Sequence, residues 1–222
     1  MSADLGPGPR TRVRRLPAKA AYDEATIYAI FDAAHFVHVA AIVDGQAIAL
    51  PTLCAREGGA LYLHGSPGNA VLRATLAAGR ACVTATIYDG LRLARSGFES
   101  SVAYRSAVAF GRATSVDDDA ERRRVLDLLV DAVLPGRARE VRAMTDAEVR
   151  LTLVVRVDVD EASAKVSAGP TDDDADDANL AVWAGLVPAR VVFGEPEAFS
   201  TGAMARGAIP VPDSVRRLLD SS

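Results

Sequence analysis

The 222-residue sequence has no apolar run near the roughly 18 residues that a membrane-spanning helix needs; FVHVAAIV (36–43) is among the longest. Arg10, Arg12, Arg14 and Arg15 are not followed by an apolar stretch, so no secretory signal is expected and the chain reads as soluble and cytoplasmic. Cysteine is nearly absent. Cys54 and Cys82 lie far apart in apolar, strand-like runs, too few and too distant for a zinc site, so buried inert thiols are expected. Lysine is scarcer still: of 25 basic residues only Lys19 and Lys165 are lysines, a bias that reads as GC-rich codon usage. With a net charge of −4, general affinity for nucleic acid is not expected.

What is present is ordinary globular material, 50% hydrophobic and 24% charged, in a length that suits one domain with embellishments. Residues 1–18 hold three prolines and four arginines without apolar periodicity and read as an extended arm. A domain over 19–196 and a weakly structured tail over 197–222 follow, the tail with a short helix at Ser214–Leu219.

Asp23 can cap a helix over 22–34, in which Ile27, Ile30 and Phe31 share one face. Strands follow at 35–43 and 46–54, joined by Asp44-Gly45, a strong hairpin signal. LYLHG (61–65) precedes a helix over 67–78 that stops at Gly79. ACVTATIY (81–88) and LRLARS (91–96) flank Asp89-Gly90, read as another hairpin turn. The alternating run 104–116 is long enough to bend through Gly111. An aspartate-led helix over 117–134 is expected to bury Val125, Leu126, Leu129, Val130 and Val133, and Thr145 to Glu148 has capping-box spacing. Runs 150–160 and 189–195 complete about seven strands at hairpin spacing, with peripheral helices and no βαβ alternation. A β-barrel is the natural architecture, because closure removes exposed edges.

Two polar clusters stand out. His64-Gly65-Ser66-Pro67-Gly68-Asn69 joins a strand end to a helix start, where free backbone N–H groups suit a phosphate, although local sequence favours a plain turn followed by an N-cap. It is neither a Walker loop nor a nucleophile elbow. Ser100 to Ser106 gathers hydroxyls, the Tyr104 phenol and the Arg105 guanidinium, which could grip an anion or simply form a polar strand edge. His35 and His38 sit three apart in a strand-like run, so opposite faces and no shared metal are expected. The acidic run 171–177 lacks the glycine and alternation of a calcium loop and reads as a solvated loop. Trp183, the only tryptophan, is either core filler or a wall for a planar ligand.

In order, RLPAKAAYDEATIYAIFDAA (15–34), DGQAIALPTL (44–53), LYLHGSPGNAVLR (61–73), YDGLRLARSGF (88–98), YRSAVAFGRA (104–113), EASAKVSAGP (161–170) and VWAGLVP (182–188) resemble the pyridoxamine 5′-phosphate oxidase-related, FMN-binding split-barrel family, in its flavin-nucleotide-binding branch. The resemblance implies an α+β, mainly β fold: a split β-barrel of about six to eight antiparallel strands with peripheral helices. It also implies a homodimer with FMN between subunits and an oxidoreductase role, with NAD(P)H as a candidate electron donor. By position, Pro51, Thr52, His64, Gly65, Ser66, Asn69, Ser101, Tyr104, Arg105 and Ser106 would contact the cofactor, and Trp183 would reach the flavin edge from the partner chain. Relatives often have two histidines and an asparagine where Glu99, Ser100 and Ala103 stand, and arginine at Ser167. These departures leave two alternatives open: a flavin store or sensor without turnover, and an interaction domain that has lost its cofactor.

Overall fold

The computed structural model describes residues 5–171, 173–199, 202 and 209–220. Its nine strands are β1 (Ala20–Ala21), β2 (Val37–Val43), β3 (Gln46–Thr52), β4 (Cys54–Glu57), β5 (Ala60–Gly65), β6 (Arg80–Leu93), β7 (Ser101–Ser115), β8 (Leu153–Ser167) and β9 (Gly185–Pro188). The helices are α1 (Glu24–Ala33), α2 (Ala70–Ala78), α3 (Asp119–Val133), α4 (Asp146–Arg150) and α5 (Asp213–Asp220). No helix among the described residues is long and apolar enough to cross a membrane.

The antiparallel ladders run in the order β3-β2-β6-β7-β8-β5-β4, with β1 added on β8 and β9 on β6. The two ends of this path, β3 and β4, are consecutive in the chain and separated only by Leu53. Two peptide units span at most about 7.6 Å, so the sheet must curl until its ends meet. No ladder joins β3 to β4. The result is a barrel with an open seam.

The interior explains the alanine-rich strands. Ala85, Ala107, Ala109, Ala162 and Ala164 face inward and leave room for Ile27, Ile30 and Phe31 from α1 and Val71 and Leu72 from α2. Large helix side chains against small strand side chains fill the space at crystal-like density. A second core lies outside the barrel wall, where Val125, Leu126 and Leu129 of α3 cover Ala55, Tyr62 and Val154. Val133 is exposed rather than buried, and Val130 only half-buried. The helix starts follow the sequence: Asp23 accepts from Thr26 N, Asn69 from Leu72 N and Asp118 from Glu121 N, and Thr145 and Glu148 form the expected capping box. In the N-terminal arm, Glu161 accepts from the backbone and side chains of both Arg10 and Thr11.

Three expectations need correction. Asp89-Gly90 is no hairpin turn: β6 runs straight through it, with a register shift between Tyr88 and Gly90. Gly90 has φ +143°, and a Cβ there would lie 2.3 Å from the carbonyl oxygen of Val187, so a glycine is needed where β9 comes close. The expected strand at 189–195 is irregular, and the chain pairs one step earlier, as β9. The run 46–54 breaks at Leu53, because the chain must turn from one edge of the seam to the other. Gly111 does mark a bulge, with the register shifting between Phe110 and Gly111. The helix expected at Ser214–Leu219 is α5, while residues 1–4, 200–201, 203–208 and 221–222 of the arm and tail lie outside the described residues.

Gly90→Ala is expected to cost about 1–3 kcal/mol, because the methyl group strains φ and displaces β9. A urea melt reads the loss, and limited proteolysis should show faster cleavage around 185–193. An unchanged midpoint and digestion pattern would mean that β9 does not depend on this contact.

Candidate cofactor-binding site

The first cluster lines the seam. β3 ends on Pro51 and Thr52, and Cys54 of β4 lies level with Leu63 of β5. Traced back from Cys54, the chain runs toward the level of His64 and Gly65, so the tip of β3 and the loop after β5 approach each other. In that loop Asn69 N donates to Ser66 O at 3.0 Å, and the Asn69 side-chain oxygen accepts from Leu72 N at 3.1 Å. The turn with an N-cap is therefore present. The Ala70 and Val71 amides and the Ser66 hydroxyl remain without partners among the described residues. His64 Nδ1 is buried with no hydrogen-bond partner among those residues, and burial pushes the imidazole pKa down, which favours the neutral ring. An orphaned nitrogen beside free amides and a hydroxyl is the donor set that a polar, anionic ligand completes.

The second cluster is the start of β7, where side chains alternate. Tyr104 lies level with Tyr88 and Ser167, and Ser106 with Thr86 and Lys165. Arg105 points to the other face. Its guanidinium is taken by Asp89 in a two-pronged bond, Nε to Oδ2 at 2.9 Å and Nη2 to Oδ1 at 2.7 Å. Arg105 in turn holds the Asp89 carboxyl below its usual range, so the pair is intact at neutral pH and is lost only as pH falls through that lowered value. Ser101 lies exposed opposite Arg92. Trp183 is 65% exposed and so is not core filler.

Along β8 the His64–Asn69 loop and the start of β7 lie at opposite ends, whereas the tip of β3 is nearer, with Thr52 level with Val37, Ala85 and Ala107 across three ladders. Gly65 pairs with Leu153 at the start of β8, and Tyr104 with Ser167 at its end. That is about 45 Å of strand contour. β3, meanwhile, is open to solvent along nearly its whole length, Ile48 and Leu50 included, and among the described residues no strand pairs with its outer edge.

A groove of about 870 Å³ opens beside the second cluster, lined by His35, Phe36, His38, Tyr88, Arg105 and Arg190 among others. The two histidines thus share a cavity, against expectation: β2 begins only at Val37, so strand alternation does not govern His35. Asp89, which holds Arg105, also lines it and was masked in the sequence by its resemblance to a turn residue. Its one signal was the apolar alternation that resumes after Gly90.

The departing positions are occupied structurally. Ser100 Oγ accepts from Ala94 N and donates to Ser96 O, and Ala103 is buried. Ser167 Oγ accepts from Arg92, 5% exposed, whose remaining donors go to the Gly169 and Pro170 carbonyls. The acidic run is not wholly solvated either, because Asp173 accepts from Arg95 N and pairs with its guanidinium; Asp172 lies outside the described residues. No metal-binding cluster of three ligands occurs among the described residues.

A curled antiparallel sheet with an open seam and two helices plugging its interior defines the split β-barrel class. The family model for pyridoxamine 5′-phosphate oxidase matches residues 23–166, and the chain belongs to that family. It is similar to the flavocytochrome Anf3 from Azotobacter vinelandii, with 32% identity over 95% of this chain and 96% of that one and a TM-score of 0.86. It is similar also to the FAD and heme binding protein from Mycobacterium smegmatis, with 36% identity over 90% and 97% and a TM-score of 0.84. No curated protein sequence matches significantly.

Neither thiol is part of the two clusters, although Cys54 lies next to the first. Burial pushes Cys54 up to about 12 and raises Cys82 as well, so both stay protonated at neutral pH. Cys54 in the folded protein should react with iodoacetamide at pH 8 at least ~100-fold more slowly than in urea, because only about one thiol in ten thousand is ionised. Peptide mass spectrometry reads the rates, and equal rates would contradict the burial.

Proposed function

We propose that this chain is a flavin-dependent oxidoreductase whose flavin is held between two copies of the chain. The observation that carries the reading is the separation of the two polar clusters along β8, together with an apolar edge strand left bare. Two copies packed through β3 would set Pro51, Thr52 and the His64–Asn69 loop of one against Ser101, Tyr104, Ser106 and Trp183 of the other. The Ala70 and Val71 amides, the Ser66 hydroxyl and His64 supply donors for a phosphate and ring heteroatoms. FMN is the flavin that the family resemblance implies for this loop. The chain's groups position the flavin and exclude water, while the flavin itself carries electrons, with NAD(P)H as the donor.

The names of the two similar proteins extend the reading to heme. The donor set of the groove supports it: two imidazoles, aromatic and aliphatic walls and the Arg190 cation, in a volume within the roughly 300–1,000 Å³ typical of small-molecule sites. Bound heme supplies one-electron chemistry beside a two-electron flavin.

Riboflavin, which lacks the phosphate, should bind at least ~10-fold more weakly than FMN, or about 1.4 kcal/mol. Ser66→Asp should weaken FMN further by setting a carboxylate against the phosphate dianion. Fluorescence-quenching titrations with FMN, FAD and riboflavin measure this, and equal affinities would remove the phosphate from the loop. Light scattering should give twice the 23.3 kDa chain mass at micromolar concentration. A monomer would sink the shared-site reading. Bound flavin without NAD(P)H oxidation would mark a store or sensor, and no flavin binding at all an interaction domain.

A further inference from the structure

We propose that the groove between β2, β6 and the segment after β9 is a heme site in which His38 is the axial ligand and Arg190 meets a propionate. This rests on the reading above that the chain binds heme, and adds to it the place and the ligand.

The walls fit a flat apolar macrocycle. Phe36 and Tyr88 are 59% and 51% exposed, and Val191 is open beside them, all lining the same cavity. Apolar walls joined by polar groups that converge on one concavity are the usual build of a cofactor site. The floor is the α1–β2 corner from Ala33 to Phe36; Ala189 N still donates to Asp89 O at 2.9 Å, and Arg190 and Val191 beyond it form the rim.

Between the two imidazoles, geometry favours His38. It lies on β2, paired with Pro51 on one side and Thr84 on the other, so ladders on both edges fix its backbone. A ligand rooted in the middle of a sheet is held more tightly than one on a loop. Its side chain projects to the exposed face and has no hydrogen bond among the described residues. His35 precedes the strand, and its ring packs edge-on against Phe193, with centroids 6.2 Å apart at 88°. That contact makes it a wall.

Charge separates the two arginines. Arg105 is spent on Asp89, so that end of the groove is neutral. Arg190 is exposed and has no ion-pair partner among the described residues, which leaves a guanidinium at the rim for a carboxylate. None of Pro51, Thr52 or His64–Asn69 lines the groove, so heme here would not displace a flavin phosphate from the seam.

The test is a hemin titration of the full-length, FMN-loaded protein, read by the Soret band and by low-temperature EPR. Wild type should show a saturable Soret shift typical of imidazole-ligated heme. His38→Ala and His38→Gln should each weaken hemin binding by at least ~10-fold and change the EPR signature, and millimolar imidazole should restore the band. His35→Ala should leave the band in place, and Arg190→Ala should weaken binding without moving it. An unchanged thermal melt and FMN titration identify the His38 variant that is folded, and the role of His38 is decided on that variant. If wild type binds hemin but the His38 variants keep its spectrum and affinity, or His35→Ala abolishes them, the site assignment is wrong and the heme reading stands. If wild type gives no saturable Soret change, the heme reading falls and the assignment with it.

Discussion

Leu53 is the constraint on which the architecture turns. One residue bridges the two end strands of a seven-strand path, so the sheet has no option but to close on itself. Closure creates an interior too narrow for large side chains from every strand. Alanine on the inner rows and bulk on the two inserted helices is the consequence. Closure without a ladder also leaves a seam, and at that seam lie the tip of β3 and the loop that enters α2.

A second organising influence is the arginine fork. Arg10 and Glu161 dock the N-terminal arm, Arg105 and Asp89 steady the β6 bulge, and Arg95 and Asp173 draw the acidic segment toward the strand end. Arg92, almost wholly buried, ties the end of β8 to the carbonyls of Gly169 and Pro170. The planar guanidinium fixes orientation as well as distance, most fully in the two-pronged Arg105–Asp89 pair, which lysine could not reproduce. The ion pairs are partly exposed, so each adds only modestly to stability, but with the buried Arg92 they decide how loops sit against the barrel.

Much of the fold was legible because local chemistry and final structure agree. Asp23, Asn69, Asp118 and Thr145 each cap the helix their spacing announces. Asp89-Gly90 was misread because a two-residue turn and a bulge at a close approach make the same demand, a glycine free of Cβ, and only the position of β9 tells them apart. The apolar run 189–195 has strand composition, but after the bond from Ala189 N to Asp89 O it leaves β6 and becomes the rim of a groove. The candidate site was legible as residue types and not as a place. Tyr104 and Arg105 are neighbours in sequence that face opposite ways, and His35 and His38 meet in one cavity because the strand begins between them.

The near absence of lysine has a use. Lys19 Nζ lies 3.4 Å from Ser167 Oγ, and Lys165 lies opposite both Ala20 and Ser106, so both side-chain amines sit at one end of β8. An amine-directed reagent that on most proteins would scatter over the whole surface is confined here, apart from the chain terminus, to the margin of the second polar cluster. A fluorophore or an isotopic methyl group placed by lysine chemistry therefore becomes a reporter on that margin without any engineered residue.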